Sequence, residues 1–483
     1  MLYPNTELFK TPNGKYLLDA NCGEILQISE DVYSYLIESA VEQTHPEGNT
    51  PPLGMVDLHE QGYLKLEPVV KKIKHPYTDV LPVFLDRKMA SMTLQLTQQC
   101  NFRCKYCIYS EQVNNSQRSH STKKMDWPLA KKAIDFLWSH SVDSPRVNIA
   151  LYGGEPLLEF ELIKSIVAYA EELFVGKLLT FNMTTNGTLL TEEVIKYLNE
   201  KNIHLMISLD GPEEVNDWNR VFVDGRGTYN SVMKAINLVR QVAPQYAKLL
   251  QISMVIDPQN DFDCINSICI DGAELDRLNI QPTLIDHGYD YAQTVFSEEY
   301  EWKFEYQQFL AVLARFNCYP ETSISPIAQR AIQYIINDFP RIEDSGKLLE
   351  EDAPSGPCLP GQLRIMVNAT GEFYPCERVS ELSSIMCIGN LTHGVNYEKA
   401  QRILNVGSVS DAVCKTCWCF RHCTICAKKA DAGEDKLSKA VKLGNCASTK
   451  KSVVSKVRHY LLFKEINLLY SDLIRIPSSK EVF

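Results

Sequence analysis

The chain has 483 residues, 45% of them hydrophobic and 23% charged, with a formal net charge of −11. That length allows about three domains, no apolar run is long enough to span a bilayer, and the acidic balance argues against nucleic acid as the main partner. The opening Met1-Leu2-Tyr3-Pro4 lacks the basic start and apolar core of a signal peptide, which predicts a cytoplasmic, non-membrane protein.

Residues 1 to about 80 read as a small separate module. Lys15 to Asp19 and Glu24 to Ile28 flank a turn at Ala20–Gly23, the pattern of a β-hairpin. Ser29 can cap a following helix in which Val32, Leu36, Ala40 and Val41 recur at helical spacing. A break from His45 to Gly54 leads to a second short helix from Met55.

From about 90 to 320, apolar strands alternate with amphipathic helices. Strands are expected at Met92–Leu96, Val147–Tyr152, Leu178–Met183, Leu205–Leu209, Leu250–Ile256 and Pro282–Ile285. Asp126 can cap a helix with Pro128 near its start, and Leu162, Ile166, Tyr169 and Leu173 line one face of the next. This repetition implies an α/β fold of parallel strands with right-handed crossovers.

Sixteen cysteines in a reducing compartment argue for metal ligation or redox chemistry. Cys100-x3-Cys104-x2-Cys107 follows the first of these strands. Three thiolates can hold an iron–sulfur cube by three corners, leaving one iron open for a small molecule, as catalytic metal sites do. Zinc or chance clustering is the alternative, although zinc usually takes a fourth Cys or His at short spacing. Gly153-Gly154-Glu155 ends the second strand, where glycines permit close backbone approach to a ligand and the carboxylate can accept from an ammonium. Thr185-Asn186 ends the third strand and Ser208 to Asp210 the fourth, offering groups suited to a ribose diol and an amino-acid moiety.

Residues 321–357 read as a helical connector, most regular from Ile327 to Ile336, and 448–483 as a helical tail. Between them, in 358–447, Cys358-x12-Gly371-x4-Cys376 is followed by Cys414-x2-Cys417-x5-Cys423-x2-Cys426 and then Cys446. A zinc ribbon on the two central pairs is an alternative, though five residues is a short separation for one.

The triad followed by Gly-Gly-Glu resembles the radical S-adenosylmethionine (radical SAM) superfamily, and the second cysteine set resembles its SPASM extension. The resemblance implies a TIM-like partial (β/α)6 barrel, a C-terminal SPASM iron–sulfur domain and, from the hairpin followed by helices, an N-terminal winged-helix peptide-recognition element. It implies SAM and three [4Fe–4S] clusters. Cys100, Cys104 and Cys107 would hold the SAM-binding cluster. Cys414, Cys417, Cys423 and Cys446 would close a distal auxiliary cluster. Cys358, Cys376 and Cys426 would hold a nearer one, with Cys387 or a substrate thiol as its fourth ligand. This chain has two residues where the family usually has three, between Cys423 and Cys426, and an intervening Cys419. By the same match Tyr106 lies beside the adenine, Glu155 meets the SAM amino group and Arg220 its carboxylate. Glu377, next to Cys376, matches an Asp that related sulfatase-maturing enzymes use as a base, a role that requires a raised pKa.

The implied function is modification of a ribosomally made, cysteine-rich precursor peptide. Its leader would dock on the first module, a flavodoxin or ferredoxin would act as reductant, and a thioether would join Cys sulfur to an acceptor carbon, narrowly of Asp or Glu. A carbon–carbon crosslink or formylglycine formation is the enzymatic alternative, and a non-catalytic iron–sulfur or zinc peptide-binding adaptor the alternative of another class.

Overall fold

Six parallel strands form the centre of the computed structural model: Ser91–Thr97 (β1), Arg146–Gly153 (β2), Leu178–Thr185 (β3), His204–Ser208 (β4), Gln251–Ile256 (β5) and Asn279–Leu284 (β6), each paired with the next. The structure describes residues 3, 5–42, 50–109, 120–270, 272–275, 278–286 and 294–470. Among these no helix is long and apolar enough to cross a membrane.

Parallel strands are usually apolar on both faces because helices cover both. Here only one face is fully apolar, with Ile149, Leu151, Met183, Ile207, Ile252 and Met254 at most 1% exposed. Along the same strands Asn148, Tyr152, Thr184, Ser208, Ser253 and Gln281 alternate with them and stay partly open. The sheet therefore keeps one polar, accessible face, and its strand ends lead into the loops described below.

The helices follow local capping rules. Asp126 accepts the Leu129 amide to start Trp127–His140, and Thr191 accepts that of Val194 to start Glu192–Glu200. Helix Phe160–Leu173 buries Ile163, Ile166, Val167 and Ala170. The expected stripe is thus rotated, and Leu162, Tyr169 and Leu173 sit at the core's margin.

Beyond the six expected strands, Ile365–Val367 joins the sheet parallel to β1, with Ile365 opposite Met92. Glu372–Tyr374, Gly389–Asn390 and Gly394–Val395 continue it antiparallel, giving ten strands. The cysteine-rich region is therefore built onto the edge of the parallel sheet.

At the front, Thr6–Lys10, Lys15–Asp19 and Glu24–Ile28 form a three-stranded antiparallel sheet, followed by helices Glu30–Glu42 and Leu53–Glu60. The first strand was not expected. Much of the anticipated break, residues 43–49, lies outside the described residues. Helix Pro326–Asn337 occupies the connector.

The anticipated tail is one helix, Cys446–Tyr470, starting at the last cysteine; residues 471–483 lie outside the described residues. Its Val453, Val457 and Leu461 pack with Phe9, Tyr16, Leu18 and Trp418 in one apolar cluster. The Tyr16 hydroxyl donates to Glu465 at 2.7 Å. Asn5 Nδ2 donates to the Cys417 carbonyl at 3.2 Å, so the front sheet is fastened directly to the cysteine-rich region.

Candidate active site at the strand ends

The loop carrying Cys100, Cys104 and Cys107 leaves β1 and runs against the segment around Arg220. The Arg103 amide donates to the Val221 carbonyl at 2.7 Å, that of Lys105 to Asn219 at 2.9 Å, and that of Val223 to Asn101 at 3.2 Å. The Phe102 and Phe222 rings meet edge to face with centroids 4.9 Å apart. The three thiols are electrostatic neighbours. Burial pushes Cys100 and Cys104 up to about 12, with Arg220 opposing in both cases. Thiols so desolvated become thiolates when a positive group binds them.

Gly153 and Gly154 are required by the chain itself. A β-carbon on Gly153, whose φ is +155°, would stand 2.4 Å from the Thr97 carbonyl oxygen. One on Gly154 would stand 2.2 Å from that of Gln99. Here the Gly154 amide donates to Thr97 at 2.9 Å and the Glu155 amide to Gln99 at 2.8 Å. The close approach expected for a ligand is thus also a close approach to the backbone that delivers Cys100.

Glu155 is 1% exposed and its carboxylate is well supplied with donors: the Leu157 amide at 3.0 Å, the Thr185 hydroxyl at 2.7 Å and the Asn186 amide at 2.8 Å. Burial raises its pKa and these bonds oppose the rise. The Asn186 amide nitrogen donates to Asn101 at 2.7 Å, and Asn101 to Thr188 at 2.9 Å. Asn101 and Thr188 were not singled out from sequence, where an Asn after a Cys reads as an ordinary turn former.

Tyr106, Asp210 and Arg220 form a chain. Arg220 Nη1 donates to the Tyr106 hydroxyl at 2.8 Å, which donates to Asp210 Oδ2 at 2.6 Å. Asp210 Oδ1 accepts the Val255 amide at 3.1 Å. Burial raises the Asp210 pKa, with Arg220 and the Tyr106 bond opposing. Ser208 stands half-buried at the end of β4, in register with Ser253. Arg220 is 6% exposed, and its Nε is buried without a hydrogen-bond partner. A buried cationic donor lacking an acceptor fits a ligand carboxylate, and three neighbouring desolvated thiols fit a cluster.

The second set of cysteines divides in space. Cys358, Cys376 and Cys426 are neighbours, and burial followed by the adjacent Glu377 charge raises Cys376 to about 11. Cys414, Cys417, Cys423 and Cys446 form another neighbourhood. The zinc-ribbon quartet is split by this arrangement, because Cys426 sides with Cys358 and Cys376. Among the described residues no three His, Cys, Asp or Glu converge as a single-ion site requires. Cys419, near the second group, is 2% exposed in the apolar cluster with Trp418. Cys387 donates to the Gly389 carbonyl at 3.5 Å. Glu377 Oε1 pairs with Arg364 at 2.6 Å, and its Oε2 is buried with no hydrogen-bond partner.

The site thus combines a parallel sheet open on one polar face with a three-cysteine loop after its first strand and a buried glycine–carboxylate turn after its second. Residues 94–268 match the family model of the Radical SAM superfamily. The chain is 34% identical over 152 residues to the uncharacterized protein MJ0907 of Methanocaldococcus jannaschii, covering 32% of this chain and 49% of that protein. It is 30% identical over 143 residues to the serine-type anaerobic sulfatase-maturating enzyme of Bacteroides thetaiotaomicron, covering 29% and 34%. The chain thus spans half or less of the length of these curated relatives. The solved structure of native anSMEcpe with bound AdoMet and Cp18Cys peptide shares the fold over 78% of this chain and 98% of that one, with a TM-score of 0.56 and 19% identity.

Proposed function

We propose that this protein is a radical SAM enzyme that modifies a cysteine-rich, ribosomally made peptide by joining Cys sulfur to a carbon of an acceptor residue, narrowly Asp or Glu. The observation that carries this reading is the division of the second cysteine set into four neighbouring thiols and three. Three thiols leave one corner of a cluster for a substrate thiolate, the ligand that iron–sulfur sites prefer.

SAM on a reduced [4Fe–4S] cluster supplies, when bound, a carbon-centred radical that takes hydrogen from the substrate. Cys100, Cys104 and Cys107 would hold that cluster, and Arg220 Nε would meet the SAM carboxylate. Tyr106, kept in place by Asp210, would flank the adenine; Thr185, Asn186 and Ser208 would border the ribose and amino-acid portions. Glu155 would brace the loop while offering its remaining acceptor capacity to the amino group. Cys358, Cys376 and Cys426 would hold one auxiliary cluster, and Cys414, Cys417, Cys423 and Cys446 another. Glu377 Oε2 is the oxygen free to take a substrate proton, since Oε1 is engaged by Arg364. The front sheet and its helices would receive the leader segment as an added strand, and a flavodoxin or ferredoxin would deliver electrons.

Anaerobic incubation of the iron-loaded protein with SAM, dithionite and any cysteine-rich peptide found encoded beside its gene tests this. Each link exchanges a C–H and an S–H bond for a C–S bond: one hydrogen atom would leave with the SAM-derived radical and the other as a proton, its electron accepted by an auxiliary cluster, so the peptide loses about two hydrogens and one alkylatable thiol per link. The name of the Bacteroides thetaiotaomicron relative favours a second reading, oxidation of Cys or Ser to formylglycine. An aldehyde captured by hydrazide with no sulfur–carbon link would establish that instead. Mass loss with every thiol still alkylatable would indicate a carbon–carbon bond, and no 5′-deoxyadenosine at all would end all three.

A further inference from the structure

Lys442, on helix Lys439–Gly444, is 2% exposed. Its ammonium donates to the Ser410 hydroxyl at 2.5 Å and to the Cys414 sulfur at 3.0 Å, while Ser410 contacts the same sulfur at 3.3 Å. The Cys446 thiol donates to the Lys442 carbonyl at 3.8 Å. Among the described residues no carboxylate forms an ion pair with Lys442, and Asp411, next to Ser410 in sequence, is paired with Lys415.

Lysine is almost never fully buried without a counter-charge. Here the groups able to supply one are thiolates. A second cation, Lys450, lies within electrostatic reach of Cys417 and Cys446. Beside the three-thiol group, Glu377 Oε1 is met by Arg364 at 2.6 Å and by Arg378 at 3.9 Å. Hydrogen bonds to sulfur and net charge are the terms by which a protein sets an iron–sulfur potential. Uptake of one electron adds one negative charge, which a desolvated ammonium favours.

We propose that Lys442 is the charge-balancing, potential-setting residue of the four-thiol site, holding its reduction potential above the value the site would have without that ammonium. This rests on the iron–sulfur reading of Cys414, Cys417, Cys423 and Cys446 given above. Lys442 acts through Cys414 and is a positioning residue. Its partners Ser410 and Cys414 lie 32 and 28 residues earlier in the chain, which is why only the structure reveals it.

The test is an anaerobic redox titration, followed by electron paramagnetic resonance, of the full iron-loaded chain as wild type, Lys442→Gln and Lys442→Arg, with iron and sulfide counted per chain. Lys442→Gln is expected to shift one signal to a more negative midpoint by at least ten-fold in the one-electron equilibrium, about 59 mV, while Lys442→Arg stays near wild type. An unchanged midpoint in Lys442→Gln, or equal shifts in both variants, overturns the proposal. If Lys442→Gln loses the iron of one cluster, retention in Lys442→Arg supports charge balance, and loss from both overturns it. Wild-type protein holding iron for the Cys100–Cys107 site alone would instead defeat the auxiliary-cluster reading itself, a failure visible before any variant is made.

Discussion

Gly154→Ala should uncouple the cysteine loop from the sheet. The added β-carbon would stand 2.2 Å from the Gln99 carbonyl oxygen, 2.6 Å from its carbon and 3.1 Å from Cys100 Cβ. Restoring ordinary contact requires a shift of about 1 Å, and the obstacle is backbone that no side-chain rotation can clear. The same carbonyl accepts the Glu155 amide at 2.8 Å. The expected cost is about 1–3 kcal/mol for overpacking and about 1 kcal/mol for the weakened bond. A displacement of about 1 Å at a reacting centre lowers turnover on the order of 100-fold. Because the loop that moves bears Cys100, we expect reduced iron per chain and a loss of that size in dithionite-driven formation of 5′-deoxyadenosine. Gly176→Ala is the control. With φ +91° and nothing within 4 Å, it costs about 1–2 kcal/mol of backbone strain far from the loop and should leave iron and SAM cleavage unchanged. Wild-type iron and cleavage in Gly154→Ala, or equal loss in Gly176→Ala, would refute the reasoning.

Arg220→Lys keeps a positive charge but gives up the planar donor set, so SAM should bind about ten-fold more weakly, near 1.4 kcal/mol, by equilibrium dialysis; unchanged affinity would free Arg220 from that role. Cys358→Ala and Cys426→Ala should each remove the same iron, and the double variant no more than either single one, whereas a zinc ribbon would group Cys426 with Cys414 and Cys417. Burial holds the His75 imidazole below its ordinary pKa, Asp352 opposing, and its Nδ1 accepts the Tyr77 amide at 3.2 Å. The unfolded chain takes up a proton near pH 6.5 that the folded chain resists. Stability should therefore fall as pH drops from about 6.5 toward the depressed folded value, and His75→Gln should flatten that slope in thermal melts.

What the sequence could convey was set by how local each determinant is. All six parallel strands were legible because each combines an apolar alternation with a polar strand end, and both signals lie within about ten residues. Ile365–Val367 was not, since three residues carry no period; their strand character comes from pairing with Met92–Leu94, more than 270 residues earlier. Thr6–Lys10, at five residues, is also short and owes its state to Lys15–Asp19. At the site, residue types pointed to chemistry, but the partners were invisible: Arg220, Tyr106 and Asp210 meet across more than 100 residues of chain. Gly153 and Gly154 show the limit most clearly. Their need for close approach could be read from sequence, yet what approaches them, the Thr97 and Gln99 carbonyls, is a property of two strands laid side by side. The turn is therefore part of the mounting of the cysteine loop as well as a candidate ligand surface. A mutation there tests both at once, and the iron count separates the two, because a lost ligand contact alone leaves the iron in place.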